Sequence, residues 1–101
     1  MDQFALLALM RPKPGKESAV DEFLRSARAL VLAETETTNW YAVRLDDGQF
    51  GIFDTFPDQN GRDAHLGGEV ARQLIAEASE LLAEAPVIRK LEIIASKTPT
   101  D

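Results

Sequence analysis

The chain carries a single histidine, His65, and proton chemistry would centre there. An unperturbed imidazole titrates near pH 6.5, so it can take or give a proton at neutral pH. Four other residues have types suited to a small oxygenated molecule beside it. Asn39 and Tyr41 supply an amide and a hydroxyl able to orient a phenolic oxygen. Asp54 sits between apolar neighbours, where a carboxyl must be paired or shifted in pKa. Phe56 would form a pocket wall. Each also has a plainer reading. His65 could pack near a helix end and bond a backbone carbonyl, and Asn39 could cap a strand entry. Tyr41 could pack across strands. Asp54 could pair structurally, with Tyr41 or with an arginine of a partner subunit.

Other chemistries find little support. The chain has no cysteine, which removes disulfides, thiolate nucleophiles and thiolate metal sites together. One histidine and dispersed carboxylates predict no metal centre. Gly67-Gly68 lacks the spacing and the preceding strand of a phosphate-binding loop. Ser18, Ser26, Ser79 and Ser96 fall in expected helices or strand ends, so no serine triad is arguable. Glu77, Glu80 and Glu84 read as a solvated helix face. The net charge is −6 and the basic residues are scattered. Nucleic acid and anionic membrane surfaces, which need a concentrated positive field, are not expected partners. The longest apolar run, Phe4–Met10, is too short to span a bilayer and follows Asp2 rather than a basic segment. A cytoplasmic location is expected, in keeping with the absence of cysteine.

These residues must be positioned by a small set of elements. The 101 residues suit one domain, 1–101. Phe4–Met10 is uniformly apolar and stopped by Arg11-Pro12-Lys13-Pro14-Gly15, which predicts a central strand with both faces covered. Val20, Phe23, Leu24, Ala27, Leu30 and Val31 recur at helical spacing, so a helix is predicted from about Glu17 to about residues 33–35. Residues 37–45 and 50–56 are rich in β-branched and aromatic types around Asp47-Gly48, a strong hairpin signal. A short helical piece is expected over 62–66, a break at Gly67-Gly68, and a second helical stretch running to Ala85. Pro86 stops it. Residues 87–95 read as a final strand and 97–101 as a polar tail expected to fray. The order β-α-β-β-α-β is the ferredoxin-like plan, an α+β fold with an antiparallel sheet and helices on one face.

A two-residue Asp47-Gly48 turn would pair Leu45 with Phe50, Val43 with Ile52, Tyr41 with Asp54 and Asn39 with Phe56. That register puts Asn39, Tyr41, Asp54 and Phe56 on one sheet face, the mixed composition of a small-molecule pocket. The opposite face would hold Trp40, Ala42 and Phe53 and read as helix-packing core, with Trp40 as a possible pocket edge. Both faces are substantially apolar, so both need cover. The helices cover one, and a second copy is the economical cover for the other.

The whole-chain pattern resembles the antibiotic biosynthesis monooxygenase family of dimeric α+β barrels. The resemblance rests on the first strand followed by Arg11-Pro12-Lys13-Pro14-Gly15-Lys16-Glu17, on the hairpin, and on Asp54-Thr55-Phe56, Asp58 and Ala64-His65-Leu66. The family typically carries Trp where this chain has Phe56. The superfamily's haem-degrading branch has an Asn on the first strand, and Phe4–Met10 has none, so haem chemistry is not expected. The resemblance implies a homodimer that oxygenates a small aromatic or quinol-type substrate with O2, using neither metal nor flavin. In that reading His65 exchanges the proton, Asn39 and Tyr41 hold substrate oxygen, and Asp54 and Phe56 complete the pocket. The rival readings are a non-catalytic small-molecule-binding dimer and a purely structural one.

Overall fold

A computed structural model describes residues 2–99. Seven elements follow in order. They are β1 (Phe4–Met10), α1 (Glu17–Val31), β2 (Asn39–Arg44), β3 (Phe50–Phe56), α2 (Gln59–Leu66), α3 (Glu69–Leu81) and β4 (Val87–Glu92). The strands form one antiparallel sheet in the order β2-β3-β1-β4. This is the ferredoxin-like α+β fold, with its second helical segment divided in two near Gly67 and Gly68.

The helices cover the sheet face that carries Ala8, Met10, Phe50 and Ile52. Helix α1 buries Val20, Leu24, Ala27 and Val31, a stripe recurring every three or four residues, while α3 buries Val70, Leu74 and Leu81. Each large aliphatic side chain so removed from water stabilises the fold by about 1.5–3 kcal/mol. Trp40 of β2 packs against both halves of this core.

Four elements are shorter than expected: α1 ends at Val31 rather than at residues 33–35, β2 spans Asn39–Arg44 rather than 37–45, and α3 and β4 also stop early. Helix α3 ends at Leu81 rather than Ala85, because residues 81–83 pair with the loop after β1. Lys13 N–H donates to the Leu81 carbonyl at 2.8 Å, and Ala83 N–H donates to the Arg11 carbonyl at 2.8 Å. Leu82, in extended conformation, bridges to Pro12. Strand β4 ends at Glu92 rather than residue 95, one residue before Ile93 N–H donates to the Gln3 carbonyl at 2.7 Å. The last two positions of the expected polar tail lie outside the described residues.

The hairpin register differs by one residue from the expected one. Its loop is three residues long, not two: Leu45 N–H donates to the Gln49 carbonyl at 2.8 Å. Gly48 adopts φ +89°, the left-handed conformation that closes a three-residue hairpin loop. The Asp47 carboxylate accepts from both the backbone and the side-chain amide of Gln49, at 3.1 and 2.9 Å, and fastens the loop. Arg44 therefore pairs with Phe50, Ala42 with Ile52, Tyr41 with Phe53, Trp40 with Asp54 and Asn39 with Thr55. A slip of one residue moves one strand's side chains to the other face relative to its partner. Asn39, Tyr41 and Val43 thus share the helix-free face with Phe53, whereas Asp54 and Phe56 lie under the helices with Trp40 and Ala42. The shared face expected for Asn39, Tyr41, Asp54 and Phe56 does not exist. Phe53 likewise leaves the helix-packing face on which it was expected.

Candidate acid–base site

Helix α2 delivers His65 to the buried side of the sheet. Asp58 starts that helix in extended conformation and accepts from Gly61 N–H at 2.8 Å, satisfying one of the free donors of the first turn. Gly61 lets the helix press against the segment that follows α1. A β-carbon there would stand 3.2 Å from the Glu36 β-carbon and 3.3 Å from its carbonyl oxygen. The same approach carries His65, in the last turn of α2, to Glu34.

His65 is only 7% exposed and lies between two carboxylates. Its Nδ1 is 2.5 Å from Glu34 Oε1, and its Nε2 is 2.9 Å from Asp54 Oδ2. Phe56 flanks the imidazole, tilted by 42° with ring centroids 5.4 Å apart. Asp54 is 1% exposed. The Nε2 contact is a charge contact lying off the ideal hydrogen-bond line, and neither Asp54 oxygen has another partner among the described residues. Glu34 is held differently. Its Oε1 also accepts from Thr37 Oγ1 at 2.8 Å, and its side chain keeps 20% of its surface exposed.

Burial alone would push the imidazole pKa down. The close polar contact with Asp54, then the hydrogen bond and charge of Glu34, outweigh it, and the His65 pKa is raised. The position of His65 at the C-terminal end of α2 works in the same direction, because the helix dipole is negative there. The imidazolium form is therefore favoured, and both ring nitrogens are engaged by carboxyl groups.

The centre opens to a surface cleft of about 410 Å³, lined among others by Leu30, Glu34, Glu36, Gly61, His65 and Glu69. Glu34, Glu36 and Glu69 bring negative charge to walls that are otherwise small, neutral and largely apolar. This cleft lies between the α1–β2 connection and α2, not on the helix-free face from which access to His65 was expected.

The five residues singled out in the sequence divide into two groups. His65, Asp54 and Phe56 come together under the helices. Asn39 and Tyr41 stand on the other side of the sheet. The Asn39 amide donates to Thr55 Oγ1 at 3.0 Å, and that hydroxyl donates to Asp2 at 2.7 Å, while Tyr41 is 55% exposed. The expected cross-strand pairing of Asp54 with Tyr41 is replaced by the contact with His65. Among the described residues no cluster of three or more His, Cys, Asp or Glu side chains is arranged to hold a metal ion.

Glu34 and Arg62 were not foreseen. Glu34 lies in an ordinary polar connection, and only its contact with a residue 31 positions away marks it. Arg62 is buried. It donates to the Leu91 carbonyl at 3.1 Å, with its guanidinium carbon 5.0 Å from the centroid of Phe4, so it fastens α2 to the sheet.

No protein-family profile matches the chain, and no curated protein sequence matches it. Solved structures do. The NE2512 protein of unknown function from Nitrosomonas europaea is 44% identical, with a TM-score of 0.93 over 98% of this chain and 96% of that one. The Rv0793 protein from Mycobacterium tuberculosis is 21% identical, with a TM-score of 0.84 over 94% of this chain and 98% of its own. An antibiotic biosynthesis monooxygenase is 15% identical, with a TM-score of 0.78 over 91% of this chain and 99% of its own. The latter two likenesses establish a shared fold. The chain belongs to the family of the Nitrosomonas europaea NE2512 protein and is built on the fold that antibiotic biosynthesis monooxygenases also use.

Proposed function

We propose that this domain is a cofactor-independent monooxygenase that oxidises a small electron-rich aromatic, such as an anthrone or quinol, with O2. The observation that carries the proposal is the buried imidazole held between Glu34 and Asp54 beside an open cleft. The fold shared with an antibiotic biosynthesis monooxygenase supports the oxygenation chemistry.

In this reading Glu34 is the base, because it is the partly exposed member of the trio. For an anthrone, Glu34 removes a proton from the reacting CH2. The carbanion then reduces O2 by one electron, and the two radicals combine into a C–O bond. Loss of the second C–H proton cleaves the O–O bond, which leaves a carbonyl and releases water. His65 protonates the peroxide and recovers that proton from Glu34; Glu34, so freed, takes the second C–H proton, which joins the departing hydroxide as water. Asp54 is a positioning residue. It keeps the imidazole cationic and oriented, as a buried carboxylate does for a catalytic histidine. Asn39 and Tyr41, on the far side of the sheet, play no part in this step.

We assign the helix-free face to a second copy of the chain. Tyr41, Val43 and Val87 are exposed there, around the half-buried Leu7, Leu9 and Phe53. An apolar sheet face of this kind is normally covered, and two-fold dimers are the commonest solution.

One observation favours a second reading. Both nitrogens of His65 are occupied and the cleft lining contains no Phe, Tyr or Trp, which suits a site that binds without turning over. Oxygen uptake with anthrones and quinols after metal chelation separates the two. Uptake that survives chelation and is lost in Glu34→Gln supports the oxygenase. Saturable binding with no uptake supports the binding protein.

A further inference from the structure

A second cleft, of about 470 Å³, lies between α1 and β2. Its lining includes Asp21, Arg25, Arg28, Trp40, Arg44 and Phe50. The chain as a whole carries −6, yet this cleft gathers three guanidinium groups against one carboxylate. Asp21 uses its two oxygens separately, one 2.5 Å from Arg25 Nε and the other 2.5 Å from Arg44 Nη2. It fixes both guanidinium groups while leaving most of their five N–H donors free. The Arg28 guanidinium has no ion-pair or hydrogen-bond partner among the described residues.

The remaining lining residues, Leu24, Trp40, Ala42, Val43 and Phe50, are apolar. The Arg44 guanidinium carbon lies 5.1 Å from the Phe50 ring centroid, so an aromatic face is already in use as a stacking platform. The Trp40 ring lines the cleft, while its Nε1 is buried with no acceptor among the described residues. A site combining apolar walls, an indole ring and forked cationic donors suits one class of molecule. Guanidinium forks match carboxylates in two-pronged geometry, and the apolar walls accept a ring.

We infer that the α1–β2 cleft is a binding site for a small planar aromatic carboxylate, separate from the His65 cleft. Inorganic phosphate would satisfy the guanidinium groups and leave the apolar walls around Trp40 unused, so it binds more weakly. The inference does not depend on the proposed oxygenation, because none of the cleft's residues belongs to the Glu34–His65–Asp54 trio.

Trp40 is the only tryptophan in the chain and reports on the cleft directly. The full chain is titrated with cinnamate, with the neutral isostere cinnamamide and with inorganic phosphate, following tryptophan emission and heat. Arg28→Glu is measured in parallel, and circular dichroism checks its fold; Arg28→Gln serves as a milder second variant. Saturable binding of cinnamate is expected, weakened about tenfold or more in cinnamamide and in Arg28→Glu, and falling with added salt. Four results each overturn the inference. They are equal binding of cinnamate and cinnamamide, binding undiminished in both Arg28 variants, phosphate matching cinnamate, and no saturable change up to about 10 mM ligand, a level that already admits millimolar affinity.

Discussion

Replacing His65 with leucine tests the physical account of the acid–base centre without any substrate. Leucine fills most of the imidazole's space, so the chief loss is charge rather than volume. Glu34 can tolerate that loss, because it keeps the Thr37 hydroxyl at 2.8 Å and part of its surface in water. Asp54 cannot. It is 1% exposed, and His65 is its sole charge contact among the described residues. Removing one member of a buried ion pair strands the other and costs about 3–5 kcal/mol. For a domain of this size each kcal/mol lowers the melting temperature by roughly 4–8 °C. Urea unfolding at pH 7, followed by Trp40 emission at fixed protein concentration, measures the loss. The decisive comparison is the double substitution His65→Leu with Asp54→Leu. With the stranded charge gone, much of the stability should return, giving a coupling of roughly 2 kcal/mol or more between the two sites. The reasoning is refuted if His65→Leu costs less than about 1 kcal/mol, the range of an exposed pair, or if the double variant is no more stable than His65→Leu alone.

The remaining predictions concern pH and assembly. The His65 pKa is higher in the folded chain than in the unfolded one, where it lies near 6.5, so folding is favoured by proton uptake. That contribution is complete below about pH 6.5 and is lost as pH rises through the higher folded value. The urea midpoint should therefore fall with pH above neutrality in the wild-type chain, and this slope should be absent in His65→Leu. A slope that persists there assigns it to another group. Tyr41→Glu together with Val87→Glu should convert a dimer to monomers in sedimentation velocity with little loss of monomer stability, since both side chains are substantially exposed. A monomeric wild-type chain, or a dimer indifferent to these charges, removes the helix-free face as the interface.

The first strand, α1, the hairpin's existence and the break at Gly67-Gly68 were all legible as local patterns. Apolar runs, helical spacing and turn residues act within a few positions, and the structure kept them. The hairpin register was not legible. Asp47-Gly48 serves a two-residue or a three-residue loop equally well as a dipeptide, and the choice is made by the Leu45–Gln49 bond and by the Asp47 carboxylate on Gln49. That one-residue difference divided the expected pocket, leaving Asn39 and Tyr41 on one face and Asp54 and Phe56 on the other.

His65 stood out in the sequence by its type alone, and Asp54 by its apolar surroundings. Neither cue says that they meet across Phe56 and the end of α2, and nothing local marks Glu34. By itself the sequence determined the elements, their order and the residues able to carry proton chemistry, because those depend on short-range spacing and on side-chain type. Only the tertiary structure decided which of those residues share a site. That depends on strand register and on how closely α2 packs at Gly61, both of which are set by contacts between segments distant in the chain.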